Sequence, residues 1–304
     1  MMNKVIISVL IVLLLFGGVG YFLGKNQKVG QGTSLIQIVA AEDFYGDIAK
    51  QLGGNNVHVT SLLSDPNVDP HEYESNVQDG IAISHAAIVI ENGDNYDTWM
   101  DKLLSASPNK NRAVLIAADL ANNKLPDNPH VWYGLDNIRR VAAKITDTLK
   151  QDDPSHTAEY DQNLAKFDIS LQPLQQKMDL IKAKYAGTPV GLTETIYLYQ
   201  AQAMGLHVVT PIAFEMAIAE GNDPSAQDVA IASDQISQKK VKVLIYNEQT
   251  ITPVTTNMQQ QAEQHNIPVV PVTETMPMTK HYQNWMLGQL DSLERALASS
   301  SSHS

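Results

Sequence analysis

The sequence predicts an α/β protein of two lobes, each a parallel β-sheet flanked by helices, joined by one long backbone helix. Three observations carry this expectation. Short apolar, β-branched runs alternate with helix-like runs in the first half of the chain, the same alternation returns in the second half, and a single long amphipathic stripe lies between them. The 304 residues are enough for two domains of ordinary size, and 43% apolar with 18% charged residues is the balance of a packed protein rather than a disordered one.

In the first half, LIQIVAA (35–41) reads as a buried strand. FYGDIAKQLGG follows as a helix stopped by Gly53 and Gly54. VHVTSLL (57–63), AAIVIENG (86–93) and AVLIAA (113–118) are further strand candidates. In the second half the strand candidates are PVGLTE (189–194), LHVVTP (206–211), VKVLIYNE (241–248) and IPVVPVTE (267–274), with helix-like SAQDVAIASDQISQKK and ITPVTTNMQQQAEQHN between them. Runs apolar on both faces and separated by helices point to parallel sheets covered on both sides.

The connecting stripe is Tyr160, Leu164, Phe167, Leu171, Leu174, Met178, Ile181 and Tyr185, stepping by four and three alternately as one face of a helix does. Asp153 before Pro154 is the expected N-cap, with proline in the first turn. Gly187 and Pro189 close the helix, and Pro173 inside the pattern should kink it. About thirty residues rising about 1.5 Å each span roughly 45 Å. The expected limits are a lobe over 34–152, the linking helix over 153–186, a second lobe over 187–297 and a low-complexity, disordered tail over 298–304.

The first residues, 1–33, read as a signal or anchor segment and tether. VIISVLIVLLLFGGVGYFL (5–23) is nearly all apolar. Its richest part has the length of a signal-peptide core, and the full run just reaches the roughly 18 residues that span a bilayer. No clear A-x-A cleavage site follows, and GKNQKVGQGTS (24–34) reads as a flexible tether. Either fate places the remainder outside the cytoplasm, at the cell surface or secreted.

The chain contains no cysteine, which excludes disulfide scaffolds, thiol nucleophiles and Cys-ligated metal clusters, so any metal must be held by His, Asp, Glu, carbonyls or water. A net charge of -12 argues against a nucleic-acid partner and is compatible with a cationic ligand. No G-x-S-x-G elbow, Walker loop or G-x-G-x-x-G is present. Nothing in the sequence signals oligomerisation, so a monomer is expected.

Ligands of open α/β sheets collect beyond the C-terminal strand ends. Four polar groups follow strand candidates or sit in proline-stiffened loops: His71 in SDPNVDPHEYESN, His130 in NPHVW, Glu194 in GLTET and Glu274 in VTETM. Both histidines follow a proline preceded by Asp69 or Asn128, a local grammar that fixes an imidazole in an extended or turn-like loop. HEYES opens like the H-E-x-x-H of zinc peptidases but has Ser75 where the second histidine belongs. The acidic pairs Glu72/Glu74 and Asp152/Asp153 read as solvated loop carboxylates rather than glycosidase acids, with only 6% aromatics to form a sugar platform.

On these residues the chain resembles the metal-specific solute-binding proteins of ABC importers, the cluster A-I zinc/manganese lipoproteins that include adhesin-type proteins. DPHEYE is similar to that family's first ligand motif, NPHVWYGLDN to its second, AEYDQNLAKFDISLQPL to the start of its backbone helix, and VKVLIYNEQT to its late strand ending in glutamate. The resemblance implies two lobes with one divalent metal ion between them, held by His71 and His130 from the first lobe and Glu194 and Glu274 from the second. It implies no enzymatic activity, and an ABC permease as partner. Glu194 fits a slot that is glutamate in manganese-type members, whereas Glu274 and Asn128 stand where the family usually has aspartate. The long His-rich loop of many zinc-type members is absent. With no lipobox cysteine, tethering would fall to the apolar segment.

Two imidazoles and two carboxylates carry a formal charge of -2, which matches a divalent cation. Carboxylate-rich sites suit manganese, with zinc the near alternative and ferrous iron a third. Because protonated imidazole cannot ligate, affinity is expected to fall as pH drops through the histidine range near about 6.5. Rival readings are a metallohydrolase with Glu72 as base and a binder of a metal chelate or other small ligand. An adhesion role would also suit a surface-tethered protein.

Overall fold

The computed structural model describes residues 35–65, 68, 70 and 73–301. The leader and tether over 1–33 therefore lie outside the described residues, as do His71, Asp69 and Glu72. No helix among the described residues is long and apolar enough to cross a membrane.

The first lobe runs β1 (Ile36–Glu42), α1 (Asp43–Gly53), β2 (Val57–Leu63), α2 (Val77–His85), β3 (Ile88–Glu91), α3 (Trp99–Ala106), β4 (Ala113–Ile116), a short α4 (Ala117–Leu120) and α5 (Leu135–Asp152). Its four strands are all parallel, in the order β2-β1-β3-β4. Every residue of β3 is buried, the mark of a strand covered on both faces. Helix α1 lies close on β2: a Cβ at Gly46 would sit 2.1 Å from Ser61 Oγ, so a larger residue there would force Ser61 to turn aside. Helix α2 starts on a capping box in which Asn76 and Asp79 satisfy each other's backbone N–H groups.

The connection is a 3-10 turn (Pro154–His156), α6 (Thr157–Ser170) and α7 (Gln172–Tyr185). Leu171 interrupts the two segments, with Pro173 in the first turn of α7, so the expected kink is where proline cannot donate a helical hydrogen bond. Tyr160, Phe167, Leu171, Leu174, Met178 and Ile181 are buried, as the stripe requires. Asp153 heads the turn, where its carboxylate accepts from Ser155 Oγ and from Tyr160 OH at 2.9 Å and meets His156 Nδ1.

The second lobe repeats the plan: β5 (Pro189–Leu192), α8 (Leu198–Ala203), β6 (His207–Val208), α9 (Ile212–Ala219), α10 (Ala226–Ser237), β7 (Val243–Asn247), α11 (Pro253–Gln264), β8 (Val269–Val272) and α12 (Tyr282–Ser301). The parallel order is β6-β5-β7-β8, the same pattern as in the first sheet. Three details depart from expectation. The run 113–118 stops being strand at Ile116, because Ala117 and Ala118 open α4. The run 206–211 pairs only at His207 and Val208, on the sheet edge ahead of Pro211. The expected tail from 298 instead continues α12 to Ser301, with Ser299 and Ser300 hydroxyls donating to the carbonyls of Ala296 and Leu297.

One hydrophobic core runs through both lobes, from Phe44 and Trp132 to Trp285 and Leu293. Polar links reinforce it. Tyr133 OH donates to the Thr273 carbonyl at 2.7 Å, Tyr282 OH to the Trp132 carbonyl at 2.7 Å, and Met276 N–H to Asp43 Oδ1 at 3.1 Å. The loops leaving the strand ends of the two sheets are thereby held against each other.

Candidate metal centre

His130 enters the site on the extended Asn128-Pro129 loop ahead of a 3-10 turn (Val131–Tyr133). Its side chain is fully buried. Asn128 sets its orientation. The Asn128 amide donates to the Thr195 carbonyl at 2.8 Å, which fixes the amide's direction and turns its oxygen toward His130. That oxygen lies 3.0 Å from the His130 N–H and 2.9 Å from Nδ1. An amide oxygen only accepts, so Nδ1 carries the proton and Nε2 presents a lone pair. Trp132 and Tyr96 flank the imidazole at 5.1 and 5.9 Å between ring centroids, both near edge-on.

Glu194 follows β5 and Glu274 follows β8, and both carboxylates are fully buried. Their Oε2 atoms lie 3.9 and 3.8 Å from His130 Nε2. One ligand atom from each of the three residues falls within 4.8 Å of the other two, the one such group among the described residues. Metal bonds of about 2.1 Å in tetrahedral geometry would set ligand atoms about 3.4 Å apart, so the two His130–carboxylate distances exceed that spacing by only a few tenths of an ångström.

Two buried carboxylates facing each other repel unless donors or a cation compensate them. Asn247, the last residue of β7, supplies shared compensation. The two N–H groups of its Nδ2 are shared among Glu194 Oε1, Glu274 Oε1 at 2.6 Å and Thr250 Oγ1 at 2.8 Å. Tyr96 OH donates to Glu274 Oε2 at 2.9 Å from the loop after β3. Burial and the Glu274 carboxylate hold the Tyr96 phenol well above its usual range, so it remains a donor. Gln249 Oε1 accepts the Glu274 and Thr275 backbone N–H groups at 2.6 and 3.0 Å. The Gln249 amide also donates to the Val68 carbonyl at 3.2 Å, tying the second lobe to the segment that leads toward His71.

The structure thus brings together three of the four residues expected from sequence, and the fourth, His71, lies outside the described residues. The sequence did not single out Asn247, Tyr96 or Gln249. Glu248, the acid just past the end of β7, is exposed, whereas Asn247 beside it is buried. Next to His130 is a cavity of about 410 Å³ whose lining includes Asp94, Asp127, Met216 and Glu220.

The fold and this cluster define the class: a two-lobed α/β protein with a buried His/carboxylate cluster, spaced as metal ligands are, at the strand ends. Residues 38–296 match the family described as ZnuA, zinc-uptake complex component A, periplasmic, and the chain belongs to that family. It is similar to the metal ABC transporter substrate-binding lipoprotein ScbA of Streptococcus cristatus, with 29% identity over 59% of this chain and 61% of that protein. The first relatives matched are therefore spanned over less than two thirds of their length. The manganese ABC transporter substrate-binding lipoprotein PsaA of Streptococcus mitis is 25% identical over 90% of this chain and 93% of its own. Among solved structures, the periplasmic zinc binding protein TroA from Treponema pallidum superposes with a TM-score of 0.74 at 17% identity, covering 87% of this chain and 99% of that one. The Mn-bound periplasmic metal binding protein from Candidatus Liberibacter asiaticus superposes with a TM-score of 0.70 at 18% identity, covering 86% and 98%. These two likenesses establish the fold alone.

Proposed function

We propose that this protein captures a divalent transition-metal ion outside the cytoplasm and delivers it to an ABC permease. The observation that carries the reading is the convergence of His130 Nε2 with Glu194 and Glu274 Oε2, from three separate loops, at one fully buried point. His71 completes the set as the fourth ligand. The lobes over 34–152 and 187–297 supply two ligands each, and the helix over 153–186 joins them.

Two carboxylates against two neutral imidazoles favour manganese, with zinc second, because oxygen donors suit the harder ion. Relatives named for manganese support placing it first, and the zinc-uptake description of the matching family keeps zinc as the second ion. The names of the curated relatives, substrate-binding lipoproteins of metal ABC transporters, support the permease as partner and the cell surface as location. Here the apolar segment 5–23 would tether the chain. Membership of a family of transporter substrate-binding proteins supports capture and delivery rather than turnover.

Calorimetric titration of the purified protein with MnCl2 and ZnCl2, at pH 5.5 and 7.5, tests the reading. One ion per chain is expected, with weaker binding at the lower pH. His130→Ala and His71→Ala should each abolish it. Unaltered binding in both variants would defeat the assignment.

A further inference from the structure

Glu274 heads a loop, 274–281, that runs from the end of β8 to the start of α12, both in the second lobe. Its first three backbone N–H groups are divided between the lobes. Gln249 Oε1, from the second lobe, accepts those of Glu274 and Thr275. Asp43 Oδ1, from α1 of the first lobe, accepts that of Met276 at 3.1 Å. One turn further along α1, Asp47 takes the far end of the same loop. Its Oδ2 accepts the Tyr282 N–H at 2.9 Å, and its Oδ1 meets His281 Nδ1 at 2.6 Å. Residues four apart share one face of a helix, so one face of α1 fastens the loop at both ends.

The fastening holds the loop in an unfavourable shape. Between the two anchors the chain turns where the Pro277 carbonyl accepts the Lys280 N–H at 3.2 Å, and Thr279 stands there at φ 75°. A β-branched residue in the left-handed region is strained, and such strain persists only where the surroundings over-determine the backbone. Both anchors are suited to that task. Met276 is buried in the core that runs through both lobes, so Asp43 meets its N–H in a sheltered place. Tyr282 opens α12, whose first N–H groups have no acceptor within the helix, and Asp47 supplies one from the other lobe.

We propose that Asp43, backed by Asp47, is a positioning residue for the metal: through the Met276 N–H it sets where Glu274 stands against His130, and it draws Glu274 away when the lobes part. The inference rests on the capture reading above. Tyr96 reaches the Glu274 carboxylate itself, whereas Asp43 reaches the backbone that carries it, two residues on. A ligand whose backbone is shared between two lobes keeps its place only while they stay docked. Movement of one lobe against the other is thereby converted into loss of a ligand, which is what release of a tightly held ion requires.

Calorimetric titration of the full chain with MnCl2 at pH 8 tests this, because burial raises the Asp43 carboxyl only to about 7 and leaves it ionised there. Asp43→Ala should bind at least about tenfold more weakly, as expected when a group that orients a metal ligand is lost, and should release the ion faster to a chelator in stopped flow. The visible bands of the CoCl2-loaded variant should shift, since the geometry at the ion changes. Asp43→Asn removes the same charge but keeps an acceptor oxygen for Met276, so it should stay within about threefold of the parent and restore the cobalt spectrum. Lys177→Ala cuts a different link, the ion pairs to Asp291 and Glu294 at 2.8 and 2.6 Å that join α7 to α12, and should leave manganese affinity at the parent's value. An Asp43→Ala affinity equal to the parent's, an Asp43→Asn as weak as Asp43→Ala, or a Lys177→Ala as weak as either would each overturn the inference and leave the capture reading standing. A parent that binds neither ion would remove both.

Discussion

Tyr96 donates a 2.9 Å hydrogen bond to Glu274 Oε2, joining the loop after β3 in the first lobe to the loop after β8 in the second. The acceptor is the same oxygen that faces His130 Nε2 at 3.8 Å. The phenol therefore aims a proposed ligand atom while also holding the two halves of the site together. Partners of this kind typically contribute 10–100-fold to metal affinity. Tyr96→Phe keeps the ring packed on Trp132 and removes only the donor. We expect manganese affinity to fall at least about tenfold, mostly through faster release. Calorimetry combined with stopped-flow chelator competition would check both parts.

Asn247 makes a different prediction because it serves two acids at once. Its side chain is the shared donor to Glu194 and Glu274. Asn247→Ala would leave two buried carboxylates facing each other without it, a loss of about 1–3 kcal/mol for an unsatisfied buried group. A bound cation supplies the missing positive charge. The variant should therefore lower the Tm of the metal-free protein by more than that of the manganese-loaded protein, as parallel calorimetric scans would show.

Much of this was legible in the sequence for a physical reason. Strands such as 88–91 and 243–247 are buried along their whole length, so they must be continuous apolar runs, and such runs are visible. His130 was legible because proline on one side and Trp132 on the other leave it a stiff loop. Glu194 and Glu274 stood out as acids at the tips of apolar runs. Asn247 and Tyr96 were not legible, because an amide or a phenol becomes a site residue only through where its strand or turn points it. Helix α5 carries the same kind of signal, since Ile138, Val141, Ala142, Ile145 and Leu149 are spaced as one helical face and form a buried stripe along it.

Glu215 in α9 should make the fold less stable as pH rises. Both its carboxylate oxygens are buried without hydrogen-bond partners, and burial lifts its pKa from 4.5 to about 9. In the folded chain it keeps its proton up to that pH, whereas in the unfolded chain it ionises near its usual value. Between these values the folded state binds more protons, so stability falls with increasing pH. At pH 7 the penalty is on the order of 3 kcal/mol. Glu215→Gln removes it, so the variant should match the parent near pH 4.5 and exceed it in urea midpoint at pH 8. Parallel slopes of stability against pH for the two proteins would refute the assignment.

Asp153 carries the opposite sign. Hydrogen bonds from Ser155, and further ones from His156 and Tyr160, lower its carboxyl from 3.8 to about 2. Its stabilisation is therefore complete above the unfolded value near 3.8 and is lost as pH falls through about 2. The carboxylate sits where the first lobe ends and the linking helix begins, so its loss loosens the 3-10 turn (Pro154–His156) and the anchorage of Tyr160. Asp153→Asn, which keeps the shape but not the charge, should lower the Tm at pH 5 to 7. The gap between variant and parent should close as pH falls from about 4 toward 2, because the parent loses the same charge there. Scanning calorimetry across that range would decide it, and a gap unchanged at the acid end would show that Asp153 acts by packing rather than by charge.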